Sequence, residues 1–325
     1  MRRAGFWTAS VLALILLALA AVVYGAVPLS LHDVAAAITG QGDPATIAIV
    51  RTLRAPRVLL AILVGAGLGM SGAALQGSLR NALAEPYLLG VSGGAAVGAV
   101  CAVALGVSGA AALPLAAFAG AAIATIATLL VARAAGGRAD PRVLLMAGVI
   151  IGAFANAAIM IALADAPPNR IRGALWWMMG SVADADWTRV AWLFVYVVIG
   201  AALLLWFGRD IDVLALGEEP AAGLGLDVER AGRRIFLLSA LLAAATVAAA
   251  GLVGFVGLVV PHLVRMAGVR RHRTLIAGSA LVGGVLVVAA DLAARVLRPP
   301  AELPLGAVTA LIGVPFFLVQ LRRLA

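Results

Sequence analysis

The chain of 325 residues contains no lysine: all 24 basic residues are arginine. That absence excludes a lysine-bearing phosphate loop of the GxxxxGK[ST] type and Schiff-base chemistry, so any ATP hydrolysis serving this chain belongs to another subunit. The single cysteine, Cys101, rules out an internal disulfide. The three histidines, His32, His262 and His272, form no cluster of metal-ligand spacing with the cysteine and the acids, so no metal site or cofactor is expected. Charge is scarce as well, with Asp, Glu, Lys and Arg at 12% against 64% hydrophobic residues. Soluble domains run at about 45–50% apolar and about 25% charged, which excludes a water-soluble fold. The formal net charge of +9 does not point to nucleic acid, because the arginines flank apolar spans and form no basic face.

What the chain has is apolar length. Ten apolar stretches, approximately 6–26, 58–78, 88–106, 113–133, 143–163, 190–208, 235–253, 256–267, 275–296 and 305–321, leave the charges almost only in the gaps. An apolar run of about 18 or more residues crosses a bilayer as a helix. The expected fold is an all-α polytopic membrane protein, one transmembrane domain over 1–325 surrounded by lipid. Arg2 and Arg3 before an apolar run resemble a signal peptide, but the run from Phe6 is longer than the usual core of about 7–15 residues and reads as the first span.

Residues 235–264 are ambiguous: too long for one helix of about 20 residues, and interrupted by Gly251, Gly254, Gly257 and Pro261. Arginine placement arbitrates. With two crossings there, Arg2, Arg3, Arg80, Arg133, Arg138, Arg142, Arg209, Arg230, Arg233, Arg234, Arg265, Arg270, Arg271, Arg273, Arg322 and Arg323 share one side, 16 against 8. With one crossing the division is 12 against 12. The positive-inside rule therefore favours ten spans with both termini cytoplasmic.

Small residues recur at helical spacing, as in Gly65 and Gly69, Gly94 and Gly98, Gly148 and Gly152, a pattern that lets helix backbones approach closely. Two catalytic patterns fail on context. Gly67-Leu-Gly-Met-Ser-Gly72 matches GxGxxG inside a span with no preceding strand, and Gly90-Val-Ser-Gly-Gly94 matches a nucleophile elbow although no histidine sits mid-span to face Ser92.

The remaining polar features lie in the gaps. Asp210 to Arg234 is the longest charged interruption, within which Pro220 to Leu224 reads as a short helix with Glu218 and Glu219 at its start and Gly225 as its stop. Such an element suits docking to a soluble partner or a solvated connector. At the other side Arg51, Arg54 and Arg57 form one cluster and Arg295 and Arg298 another, suited either to an acidic protein surface or to internal pairing, since Asp291 and Arg295 are four apart on one helix. Trp176, Trp177 and Trp187 fit an interfacial belt, with Ile171 to Met179 a short helix lying on the membrane. Gln76 and Asn156 lie inside spans and must face protein or a pathway.

Several of these segments, in order, resemble the permease subunits of ATP-binding-cassette importers for iron-siderophores, haem and vitamin B12, the FecCD type. The likeness runs through Arg54-Ala-Pro-Arg57, Gln76-Gly, Asn81-Ala-Leu-Ala-Glu-Pro86, Leu89-Gly-Val-Ser-Gly-Gly-Ala95, Trp177-Met-Met-Gly-Ser181 and Leu216 to Gly225. It continues through Gly254 to Arg265, Ala290 to Arg295, Glu302 to Gly306 and Gly313 to Phe317. Ala82 and Gly93 depart from the family pattern, where proline and serine stand. The resemblance implies alternating access in a homodimer or paired permease of the bacterial inner membrane, with two cytoplasmic ATPase subunits and a periplasmic substrate-binding protein. It implies an ATPase-coupling loop over 209–234, with Leu216, Gly217, Glu218, Glu219, Ala221, Ala222, Gly223, Leu224 and Gly225 as contacts. It further implies docking of the binding protein on Arg54, Arg57 and Arg295, and a cytoplasmic gate at Asn81 and Leu83. Gln76 and Asn156 are the pathway candidates. The alternatives are an ion-gradient-driven transporter, for which Asp291 is the nearest intramembrane acid, and an intramembrane serine protease.

Overall fold

The computed structural model describes residues 2–25, 27–107, 109, 111–136, 140–299 and 301–324, with side chains from 5 to 319. Arg138 lies outside the described residues, as do the side chains of Arg2, Arg3, Arg322 and Arg323. Among the described residues there is no strand. The helices are α1 (Arg2–Val23), α2 (Leu31–Thr39), α3 (Pro44–Ala48), α4 (Ala55–Ser78), α5 (Val91–Ala104), α6 (Ala112–Ala134), α7 (Pro141–Ala164) and α8 (Pro168–Met178). They continue as α9 (Trp187–Trp206), α10 (Gly208–Leu214), α11 (Glu218–Gly223), α12 (Val228–Ala250), α13 (Val256–Met266), α14 (His272–Val296) and α15 (Leu305–Leu324). Among the described residues seven helical stretches are long and apolar enough to cross a membrane, and three shorter apolar helices, Val91–Ala104, Val256–Met266 and Leu305–Val319, occupy the other expected positions. The expected second span differs at its start. A π-helical stretch over Ile49–Arg54 fuses α3 to α4, so one helix runs from Pro44 to Ser78 and carries Arg51 and Arg54 with it.

Local chemistry sets the helix ends. Ser30 and Asp33 form a reciprocal capping box on α2, and Gly40 closes it with φ 84°. Asp140, Asp186 and Asp227 each accept a backbone N–H at the starts of α7, α9 and α12. The gap at 209–234 resolves into α10 and the short α11, with Arg233 and Arg234 already on α12.

Packing is built around α4, which is 83% buried along its apolar stretch where α1 is 6% buried. It touches α14, α12, α13 and α9. Such approach requires glycine: a Cβ on Gly65, Gly69 or Gly72 would run into the carbonyls of Gly283, Ser279 or Gly257. The GxGxxG pattern is thus a packing surface. Gly94 and Gly98 do the same against α6, whereas Gly152 faces open space. A second group, α5, α6 and α7, packs alongside and meets α4 through α12.

Two helices are too short to span. At about 1.5 Å per residue, the 14 residues of α5 reach about 21 Å and the 11 of α13 about 16 Å, against a hydrocarbon core of about 30 Å. Their missing lengths are not α-helical: residues 79–90 before α5, which hold only a 3-10 turn at Pro86–Leu89, and 251–255 before α13. Unpaired backbone at membrane depth is tolerated only inside protein. These two breaks meet one another, and their junction is the core of the site.

Candidate functional site

The α4 side of the junction is held by Gln76, which is 3% exposed. Its Nε2 donates to the carbonyls of Gly257 and Leu258, both at 3.2 Å, and its Oε1 accepts from Arg265 Nη1 at 2.5 Å. Pro261 explains the first contact. It has no N–H, so the Gly257 carbonyl four residues earlier loses its helical donor and takes one from Gln76 instead. Of the two roles open to Gln76, helix–helix hydrogen bonding or pathway contact, these bonds are of the first kind and lie inside the protein.

Beyond Gln76 the chain turns through Arg80, at φ 51°, into the segment expected to form the gate. Asn81 Oδ1 accepts from Leu83 N–H at 2.9 Å, an Asx turn that holds the loop without the proline Ala82 replaces. Leu83 is 45% exposed at the tip. Glu85 Oε1 then accepts from Phe255 N–H at 2.7 Å, and Tyr87 Oη accepts from Val253 N–H at 2.8 Å. Phe255 itself sits at φ 67°. Two side chains of one break thus satisfy the backbone of the other. Ser92 Oγ donates to the Tyr87 carbonyl at 3.1 Å, so the residue of the apparent nucleophile elbow ties down the same loop.

On the coupling side, Glu218 of α11 lies 3.2 Å from Arg80. This pair joins the expected ATPase-coupling helix to the end of α4 and the start of the gate segment. Between them is a cavity of about 750 Å³ lined by Asn81, Asp140, Arg142, Gly217, Glu218 and Glu219, among others. Gly217, at φ 118°, starts α11, and Gly225, at φ 82°, follows its end. Ala221 is buried, while Glu219, Ala222, Gly223 and Gly225 are exposed, with Leu216 at 62% and Leu224 at 66%. Nearby, Asp212 accepts from the His272 backbone N–H at 2.9 Å and meets its ring Nδ1 at 2.7 Å, anchoring α10 to α14.

At the opposite end the three arginines expected to dock a binding protein are engaged internally. Arg54 is buried and donates to the carbonyls of Val22 at 2.6 Å, Val23 at 2.8 Å and Val27, closing the C-terminus of α1. Arg295 donates to Ala21 and Tyr24 carbonyls at 3.1 and 3.4 Å, and its Nε stands 3.2 Å from Asp291, out of line for a hydrogen bond. Arg57 joins Asp291 at 2.8 Å and Glu302 at 2.7 Å, its side chain 11% exposed. Paired to Arg57, the Glu302 carboxyl is held below its ordinary value despite the opposing effect of burial. Arg51, Arg172 and Arg298 are exposed at this end.

The sequence alone assigns no role to Arg80, Glu85, Tyr87, Arg265 or Glu302. Their signal was faint: Glu85 is an acid beside Pro86 within an otherwise apolar segment, and Arg265 ends a run free of charge. Asn156 is exposed on α7 and has no hydrogen-bond partner among the described residues. Asp291, the one acid considered for ion coupling, is 2% exposed and neutralised by two arginines.

Residues 12–323 match the FecCD transport family. The chain is 42% identical over 274 residues to the cobalamin import system permease protein BtuC of Halobacterium salinarum, covering 84% of this chain and 73% of that protein. It is 38% identical over 274 residues to the hemin transport system permease protein HmuU of Yersinia pestis, covering 83% and 82%. A metal-chelate type ABC transporter solved in an inward-facing conformation superposes with a TM-score of 0.85 at 30% identity, over 97% of this chain and 98% of that one. The chain belongs to the FecCD transport family, as a multi-pass membrane permease subunit and not an enzyme.

Proposed function

We propose that this permease forms the conduit of an ATP-driven importer that carries a bulky chelate of the cobalamin, haem or iron(III)-siderophore class inward by alternating access. The cobalamin and haem classes rest on the names of the relatives and the siderophore class on the sequence resemblance; the mechanism rests on the connection between α11 and the gate segment. Leu216 and Leu224 stand exposed at 62% and 66% around a short helix, the chemistry of a docking knob for a soluble subunit. Movement of α11 pulls on Arg80 through Glu218, and Arg80 begins the segment that carries Asn81, Leu83 and Glu85. On this reading both termini and α10–α11 lie in the cytoplasm, which the arginine distribution supports.

Asn156 supports a second permease copy or paired subunit, since an unpartnered amide mid-span is costly in lipid and is relieved against protein or a water-filled path. At the outer end, a binding protein would meet the exposed Arg172 and Arg298 and the rim of Arg57. Arg54 and Arg295 serve chiefly to close α1. Asp291, the acid an ion-gradient mechanism would draw on, is already paired with Arg57 and Arg295.

The test is reconstitution of the permease in proteoliposomes with its cognate ATPase and binding protein, followed by uptake of cobalamin, hemin and a ferric siderophore. Uptake of one of them should require ATP and stop with vanadate. Leu216→Asp with Leu224→Asp should abolish co-purification of the ATPase while leaving the permease folded. Uptake that persists without the ATPase under an ion gradient would overturn the reading.

A further inference from the structure

Outside the gate and the coupling helix lies a crevice between α6 and α9. Both helices pack on α12, whose Ala248 forms the floor, and they touch one another through Phe118 and Tyr196 at 5.6 Å between ring centroids. The crevice measures about 410 Å³, within the range of about 300–1,000 Å³ usual for small-ligand sites. Its body is apolar, walled by Leu115, Phe118, Trp192 and Tyr196, with Trp192 set edge-on to Tyr196 at 6.1 Å. Leu115 and Tyr196 are exposed at 66% and 44%, so the crevice opens sideways from the bundle. The surrounding surface of these two helices, Ile123, Phe194 and Val195, is exposed and apolar as a lipid-facing surface must be.

The rim is charged. Asp186, Thr188 and Arg189 line it at the start of α9, the end of the bundle opposite α11 and hence the level of the lipid headgroups. Asp186 and Arg189 are of opposite sign and three positions apart, and each side chain is held by a backbone group, not by the other side chain. The Asp186 carboxylate accepts only the Arg189 backbone N–H, at 2.8 Å. The Arg189 guanidinium makes one long contact, to the Ala249 carbonyl at 3.4 Å. A cation and an anion held apart on the rim of an apolar, laterally open slot form the complement of a zwitterion with an acyl tail.

We propose that this crevice binds a phosphatidylethanolamine-type phospholipid. The phosphate lies on Arg189 and Thr188, the primary ammonium on Asp186, and one acyl chain on Leu115, Phe118, Trp192 and Tyr196. Asp186 provides the discrimination. It repels a purely anionic headgroup and hydrogen-bonds a primary ammonium better than a quaternary one, which has no N–H to donate. Because Arg189 also lines a neighbouring cavity of about 540 Å³ with Trp177 and Glu302, the bound headgroup stands beside the outer face of the permease.

The test is native mass spectrometry of the full-length permease titrated with phosphatidylethanolamine, phosphatidylcholine and phosphatidylglycerol of one chain length. Phosphatidylethanolamine should occupy one site about three- to five-fold more tightly than either of the others, the factor expected of one partly exposed ion pair. Asp186→Asn, which keeps the helix cap, should remove that preference and bring phosphatidylglycerol level with or above phosphatidylethanolamine. Arg189→Gln should weaken all three lipids, and Leu115→Trp should empty the site by filling it. Equal affinity for the three headgroups in the native chain overturns the proposal, as does a preference unchanged in Asp186→Asn. Displacement of the lipid by millimolar inorganic phosphate alone would make it a simple anion site and overturn it too.

Discussion

The contact between Gln76 and α13 can be tested quantitatively, because the reason for it is a missing atom. Pro261 deprives the Gly257 carbonyl of a helical donor, and Gln76 Nε2 supplies one at 3.2 Å while its Oε1 receives Arg265 at 2.5 Å. Gln76→Leu preserves volume and removes both contacts. Ordinary interhelical hydrogen bonds in membranes average about 0.6 kcal/mol. A bond to a partly buried guanidinium is worth about 1.5–3 kcal/mol, and an orphaned carbonyl costs about 1–3 kcal/mol. The combined loss is expected at about 2–3 kcal/mol, since relaxation and water recover part of each. The diagnostic measurement is a double-mutant cycle with Pro261→Ala, followed by equilibrium unfolding in mixed SDS micelles. Alanine restores an N–H at position 261, so Gln76→Leu should cost about 1 kcal/mol less in that background. Losses that add within about 0.3–0.5 kcal/mol would refute the argument that Gln76 compensates for the proline.

Three further outcomes follow from the same structure. Gly72→Val drives a side chain into the Gly257 backbone and should destabilise by about 1–3 kcal/mol or more, whereas Gly152→Ala, in open space, should stay within about 0.5 kcal/mol of the parent; equal effects in the same unfolding assay would contradict the packing assignment. Arg57→Glu sets a third carboxylate beside Asp291 and Glu302 and should cost about 3–5 kcal/mol, so loss of thermal stability should precede any loss of binding-protein docking; a melting curve unchanged from the parent would sink this. The lowered Glu302 carboxyl gives a pH signature. Its stabilisation is present above the ordinary value of 4.5 and disappears as pH falls through the lowered native value, so melting scans from pH 6 to 3 should show a decline that Glu302→Gln flattens, and identical slopes for the two proteins would disprove it.

The element positions were largely legible in the sequence. Ten apolar stretches correspond to ten apolar helices, and the break at Gly251 to Gly254 is real, because a run of hydrophobic side chains and the helix-breaking residues inside it act locally. The short helix after Glu218 and its stop at Gly225 were legible for the same reason. Individual polar roles were harder to read. The clusters of Arg51, Arg54 and Arg57 and of Arg295 and Arg298 suited either an acidic partner or internal pairing, and the guanidiniums of Arg54, Arg57 and Arg295 turn inward to the α1 carbonyls and to Asp291 and Glu302. For Gln76 the choice between protein and pathway stayed open, because an amide in a span must be satisfied somewhere and that rule does not say by whom.

The sequence by itself determined that this is a multi-pass membrane protein of the FecCD family with no phosphate-loop lysine of its own. Those conclusions depend on what each residue is and on spacing within a few turns. Only the tertiary structure decided which polar groups are consumed internally and which remain open to partners. Arg57 meets Glu302 from 245 positions away, and Gln76 meets Arg265 from 189. In a medium without water every such group must find a donor or acceptor within the protein. Which one it finds depends on how close glycine-faced helices bring distant stretches of chain.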